Sequence, residues 1–235
     1  MRKHDVIVAC DFKNAQETME FLSQFKEEKP FVKIGMELFY GEGPEIVRQI
    51  KAMGHDIFLD LKLHDIPNTV NKAMRNLARL GVNMTNVHAA GTSEMMRAAK
   101  EGLAEGAAGE VPMLIAVTQL TSTTEERMQK ELLISAGIAD TVRHYAKNAA
   151  DSGLDGVVCS PLEAGIVKEA CGPAFCTVTP GIRYPEGNTN DQARITTPQK
   201  AREIGSDYIV VGRPITKAAD PVEAYRRVMR DFLGE

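Results

Sequence analysis

The sequence predicts an α/β chain folded as a single (β/α)8 TIM barrel over residues 1–235. Three observations carry that expectation. Apolar β-rich runs alternate with segments of helical period from one end to the other. About eight such units fit the length, with no long linker or low-complexity stretch between them. And no G-x-G-x-x-G follows the first strand, as an open doubly wound sheet that binds dinucleotides would need.

The first strand reads Asp5-Val6-Ile7-Val8-Ala9-Cys10. Asn14, with Glu17 three residues on, opens the first helix as a capping box. Phe31 to Met36 forms the second strand, and a helix from Pro44 to Met53 buries Ile46, Val47 and Ile50 before stopping at Gly54. Ile57 to Leu63 is the third strand. Pro67 then starts a helix with Val70, Ala73, Met74, Leu77 and Leu80 on one face, closed by Gly81. Further strands are expected at Met84–Ala89, Met113–Leu120, Gly156–Ser160, Phe175–Thr179 and Tyr208–Gly212. Asp220-Pro221, with Glu223 behind it, caps the last helix. Residues 181–197 lack apolar periodicity and follow the seventh strand, which marks them as a binding loop or lid.

Of the 235 residues, 43% are hydrophobic and 26% charged, and there is no Trp, so the core is expected to be aliphatic. A formal net charge of −4 gives no basic footprint for nucleic acid or an anionic membrane. No stretch is apolar enough for a membrane span, and the amino-terminal residues do not resemble a signal peptide. Cys10, Cys159, Cys171 and Cys176 contain no C-x-x-C pair and read as reduced thiols of a cytoplasmic protein.

Polar residues recur where barrel strands end, the side on which such folds carry their active sites. They are Asp11, Lys33, Asp60, Lys62, His88, Thr118, Gln119, Ser160, Arg183 and Arg213. In the third strand, alternation puts Asp60 and Lys62 on one face and Leu59, Leu61 and Leu63 on the other. The leucines should face the outer helices and the two charges the barrel mouth. A lone pair of charges there could be structural, but Lys33 and Asp65 add one more of each sign, which favours a functional network. A metal held by Asp60, Asp65 and His64 or His88 is the rival chemistry, and Lys62 between the carboxylates disfavours it. Gly181-Ile182-Arg183 and Val211-Gly212-Arg213-Pro214 follow strands seven and eight, where this fold binds phosphate.

The run Asp60-Leu61-Lys62-Leu63-His64-Asp65-Ile66-Pro67-Asn68-Thr69 resembles the D-x-K-x-x-D-I-P-x-T signature of orotidine 5′-phosphate decarboxylases of the shorter bacterial type. The likeness continues through Asp11, Val32-Lys33-Ile34-Gly35, Asn86-Val87-His88-Ala89-Ala90-Gly91 and Val117-Thr118-Gln119-Leu120-Thr121-Ser122. It also takes in Thr179-Pro180-Gly181-Ile182-Arg183, Asp191-Gln192 and Val210-Val211-Gly212-Arg213-Pro214-Ile215.

The resemblance implies conversion of orotidine 5′-monophosphate to uridine 5′-monophosphate without cofactor or metal. It implies Lys62 as the proton donor to C6, with Lys33, Asp60 and Asp65 completing the charged network. Asp11 and Lys33 resemble ribose contacts, and Thr121 and Ser122 the segment facing the pyrimidine. Arg183 begins the closing loop, while Gln192, Gly212 and Arg213 resemble phosphate contacts. Asp65 and Thr69 resemble residues that reach a partner's site, which implies a homodimer. A Mg2+-dependent sugar-phosphate decarboxylase or aldolase of the same superfamily shares D-x-K-x-x-D and is the alternative, disfavoured by Ile66-Pro67-Asn68-Thr69 and Gln192.

Overall fold

The computed structural model describes residues 4–184 and 196–234. Its strands close on themselves in sequence order, all parallel, from the first round to the eighth, which pairs with the first. In chain order the first half comprises β1 (Asp5–Ala9), α1 (Ala15–Leu22), β2 (Phe31–Gly35), α2 (Met36–Glu42), α3 (Glu45–Ala52), β3 (Ile57–Leu63), α4 (Pro67–Ala78) and β4 (Met84–His88). There follow α5 (Thr92–Gly106), β5 (Met113–Val117), α6 (Glu125–Glu131), α7 (Ile138–Asp151), β6 (Gly156–Val158) and α8 (Ala164–Cys171). The chain ends with β7 (Cys176–Thr179), α9 (Pro198–Ile204), β8 (Tyr208–Val211), α10 (Arg213–Thr216) and α11 (Pro221–Leu233). The expected (β/α)8 barrel is therefore observed.

Capping chemistry sets several helix boundaries where expected. Asn14 accepts from the Glu17 N–H at 2.9 Å, and Asp220 from the Glu223 N–H at 3.0 Å, ahead of Pro221 at the first helical position. Positive φ at Gly54 and Gly81 ends the turns after α3 and α4, as the glycine stops require.

Strand ends depart from expectation. Met36, expected in β2, begins α2, a helix that the periodicity does not reveal. β5 and β6 stop at Val117 and Val158, so Thr118 to Leu120 and Cys159 to Ser160 lie beyond the ladder. β4 and β8 each stop one residue early, and β7 starts one late.

Two apolar layers result from the alternation of side chains. Leu59, Leu61, Val32, Ile34 and their counterparts pack outward against the helices. Ile7, Phe31, Phe58, Met84, Ile115, Val178, Tyr208 and Val210 fill the barrel interior. Near its floor Phe31 and Tyr208 meet edge to face, ring centroids 6.1 Å apart. The inward positions then turn polar on climbing β2, β3 and β4, where Phe31 gives way to Lys33, Phe58 to Asp60, and Met84 to Asn86. That polarity gradient positions the site. Among the described residues no helix is long and apolar enough to cross a membrane.

Candidate active site

Four charges alternate in sign across the ends of β1, β2 and β3. Lys33 Nζ donates to Asp11 Oδ1 at 2.9 Å and lies 3.6 Å from Asp60 Oδ2. Lys62 Nζ donates to Asp60 Oδ1 at 2.7 Å. Gly35 makes room for this: a Cβ there would stand 3.2 Å from Lys33 Nζ. Asp60 is thus held between two ammonium groups, and its side chain is 11% exposed against 58% for Asp11.

Burial pushes the Asp60 carboxyl up, but Lys33, Lys62 and the Asn86 amide outweigh it, and its pKa falls below the usual carboxylate value. For Lys33, burial pushes the ammonium down, and Asp11 and Asp60 more than reverse that, leaving it raised. Both groups are therefore ionised at neutral pH.

Lys62 does not sit on a regular strand. Its φ is +52°, and the β3–β4 register breaks there, Leu59 pairing Thr85 while Leu63 pairs Val87. Four steps of β3 oppose two of β4, a bulge that frees the Lys62 N–H from the ladder. Asn86 Oδ1 accepts it at 2.8 Å, and Asn86 Nδ2 donates to Asp60 Oδ1 at 2.7 Å. The expected shared face of Asp60 and Lys62 is thus achieved through a bulge rather than by simple alternation. The sequence reading gives Asn86 no role; the signal that could have found it is a poor strand former on an inward position of β4.

Lys33, Asp60 and Lys62 border a cavity of about 170 Å³ whose remaining wall is largely apolar, with Phe58, Val117, Val158 and Val210 beside Thr121 and Gln119. Ser122 is exposed and outside that lining, whereas Thr121 lies within it. A second hollow, of about 360 Å³, joins Asp11 to Gly212 and Arg213. Arg183 donates to its neighbour's carbonyl, Ile182 O, at 2.7 Å. The stem of its loop is pinned where Arg183 N–H donates to Thr196 O at 3.0 Å and Thr196 N–H to Gly181 O at 3.1 Å. Gln192 lies outside the described residues.

Asp65 and Thr69 are exposed and stand apart from the four-charge network. The Asp65 carboxylate accepts from the Ile66 N–H at 2.7 Å. As for the rival metal ligands, His64 and His88 stack loosely at 5.8 Å, and burial, together with His64 and Lys62, keeps the His88 ring below its ordinary pKa. Among the described residues, no three of His, Cys, Asp or Glu converge as a metal would need.

Comparison with known proteins points the same way. The chain is 59% identical over 231 residues to the orotidine 5′-phosphate decarboxylase of Bacillus cereus strain G9842, with 97% of each chain covered. It is 58% identical, with the same coverage, to that of Bacillus cytotoxicus. The crystal structure of orotidine 5′-phosphate decarboxylase from Lactobacillus acidophilus superposes with a TM-score of 0.88 at 44% identity, covering 97% of this chain and 99% of that one. A similar fold at 23% identity occurs in the Pyrococcus horikoshii structure, TM-score 0.78. Residues 4–228 match the orotidine 5′-phosphate decarboxylase / HUMPS family, and the chain belongs to it.

Proposed function

We propose that the chain decarboxylates orotidine 5′-monophosphate to uridine 5′-monophosphate, the last step in making that nucleotide de novo. The observation that carries this is the alternating series Asp11–Lys33–Asp60–Lys62, whose last three members line one side of a cavity with apolar walls. Loss of CO2 breaks the bond from C6 to the carboxylate and leaves its electron pair on C6, with no adjacent carbonyl to accept it. The Lys62 ammonium, already held by Asp60, stabilises that charge without reorganising and then transfers a proton to C6. Asp60 repels the substrate carboxylate more than the transition state from which that charge departs.

A charge pair at about 4 Å supplies roughly 4 kcal/mol at an effective dielectric of 20. Accelerations among the largest known require about 20 kcal/mol, so binding energy from distant groups must contribute. We assign that part to the phosphate, bound by Gly212, Arg213 and Gln192 and enclosed by the 181–197 loop with Arg183. Asp11 and Lys33 contact the ribose, and Thr121 and Ser122 the pyrimidine. The exposure of Asp65 and Thr69 supports their serving a second subunit's site in a homodimer. Residues 1–235 form one catalytic domain that needs no cofactor, metal or nucleic acid. The four cysteines are free thiols, which supports a cytoplasmic location. The Mg2+-dependent alternative is disfavoured because the Asp60 oxygens are engaged by Lys33, Lys62 and Asn86.

The test follows the fall in ultraviolet absorbance as substrate becomes product, with wild type beside Lys62→Ala. The variant should lose at least about 10³-fold in kcat, near the value of one charge contact, while keeping affinity for uridine monophosphate. Turnover close to wild type would remove Lys62 from the chemistry. EDTA should leave the wild-type rate unchanged. Arg213→Ala should lower kcat/KM for the nucleotide by about 10²-fold but leave the bare nucleoside nearly unaffected. Equal losses would remove Arg213 from the phosphate site.

A further inference from the structure

We infer that Asn86 is a positioning residue for this reaction: one amide holds the Asp60 carboxylate and the Lys62 backbone together, fixing the carboxylate–ammonium pair against the cavity. The inference rests on the function proposed above and names a residue that the charged series does not include.

The orientation of the amide follows from its partners. A backbone N–H only donates, so the atom 2.8 Å from Lys62 N is the Asn86 oxygen. A carboxylate only accepts, so the atom 2.7 Å from Asp60 Oδ1 is the Asn86 nitrogen. Both contacts are required at once, and no other residue type of that size offers one acceptor and one donor in this arrangement at neutral pH. Asn86 is fully buried, with relative exposure of 0%.

What it holds is unusual. Lys62 is one of three non-glycine residues with positive φ among those described, a conformation a lysine adopts only under constraint. The register break leaves its N–H without a ladder partner, and Asn86 supplies one. The same side chain donates to the oxygen of Asp60 that accepts from Lys62 Nζ. Asn86 therefore sets both ends of the Lys62–Asp60 pair: the backbone from which the lysine projects and the carboxylate on which its ammonium rests. A displacement of about 1 Å of such a pair is enough to cost about 10²-fold in rate.

The test uses two substitutions that separate the halves of the role. Asn86→Asp is isosteric and keeps an acceptor for the Lys62 N–H, but at neutral pH it faces Asp60 with a second carboxylate. The two acids then compete for one proton, which raises the pKa of the pair. Once protonated, the introduced carboxyl can donate to Asp60 again. We expect kcat about 10²-fold below wild type near pH 8, with uridine monophosphate affinity changed by no more than about threefold. Relative to wild type at each pH, kcat should recover at least about tenfold on lowering the pH to about 5.5. Asn86→Ser is too short to reach both partners and should show the loss in kcat without the recovery at acid pH.

A kcat loss in Asn86→Asp that does not change with pH relative to wild type, or an equal loss in nucleotide affinity, would overturn the inference. If Asn86→Asp does not fold by circular dichroism, Asn86→Ser decides: wild-type turnover there rejects the role. A direct reading comes from the carboxyl 13C titration of Asp60, which should shift to higher pH in Asn86→Ser; an unmoved midpoint counts against Asn86 whatever the activity. If the wild-type chain had no decarboxylase activity, the proposed function would fail, and that titration would still judge the contact.

Discussion

The two ends of the barrel use the same chemistry, lysine against carboxylate or amide, to opposite ends. At the floor, three side chains just ahead of even-numbered strands accept from the strand before. Asn83 takes the Ile57 N–H and Lys51 Nζ, both at 3.0 Å. Asp155 takes the Leu114 N–H at 2.8 Å and Lys100 Nζ at 2.7 Å. Asp207 takes the Thr177 N–H at 2.8 Å and Lys168 Nζ at 2.5 Å. Each acceptor joins a helix to the start of a strand and satisfies a backbone donor that the ladder leaves free. At the mouth Asp60 holds two lysines, and its donors there are two ammonium groups and the Asn86 side chain. The floor acids Asp155 and Asp207 hold backbone donors, whereas Asp60 at the mouth is held by side chains and borders the cavity of the site. A charge pair is structural or chemical according to what else its partners hold.

The sharpest way to break that contrast is to remove one acid at each end. Asp60→Asn should lower kcat by more than about 10³-fold, since it takes away the anion between two ammonium groups, and should also cost stability because Lys33 and Lys62 lose their shared partner. Asp207→Ala should cost stability alone. It leaves the Lys168 ammonium with only the Pro173 and Phe175 carbonyls and strands the Thr177 N–H, costing about 2–3 kcal/mol of stability while leaving turnover per folded molecule intact. Activity lost equally in both variants would erase the distinction. Asp60 also sets an acid limit. Its folded pKa is depressed, so the stability it confers is present above the unfolded value of about 3.9 and is lost only as pH falls through the lower folded value. A wild-type thermal melt should therefore show no loss attributable to Asp60 between about pH 7 and pH 5, where both states are ionised.

Much of this was legible in the sequence because each end repeats itself. Gly81, Gly153 and Gly205 all have positive φ and stand two residues before Asn83, Asp155 and Asp207, so the floor turns share a Gly-x-Asn/Asp pattern. The mouth was legible because charges such as Lys33 and Asp60 have no reason to occupy inward strand positions unless they have partners. The bulge at Lys62 was not, since alternation predicts the same face for Asp60 and Lys62 with or without it. The helix Met36–Glu42 was hidden because Gly35 continues a β-rich run and only the backbone shows where extension stops. Asp65 and Thr69 are exposed and apart from the network, and their role rests on the proposed second subunit rather than on contacts within this chain.

The smallest effect tests how tightly the floor is fixed. Lys100 reaches Asp155 from α5, and α5 lies directly against α4. A Cβ on Gly102 would stand 2.2 Å from Asn71 O, a backbone atom of α4, and one on Gly106 would stand 2.2 Å from Arg75 O. Neither oxygen can swing aside as a side chain would. Helix propensity alone predicts that Gly102→Ala gains up to about 1 kcal/mol. Overpacking against backbone costs about 1–3 kcal/mol, so the net effect should be a loss of up to about 2 kcal/mol. Gly41 in α2 has nothing within 4 Å of its would-be Cβ, so Gly41→Ala should keep the propensity gain and raise the melting temperature. Opposite shifts in Tm for these two substitutions would show that contact between α4 and α5, rather than local propensity, decides where this barrel tolerates a methyl group. Shifts of the same sign would mean that the helices relax apart and that Lys100 and Asp155 do not depend on their closeness.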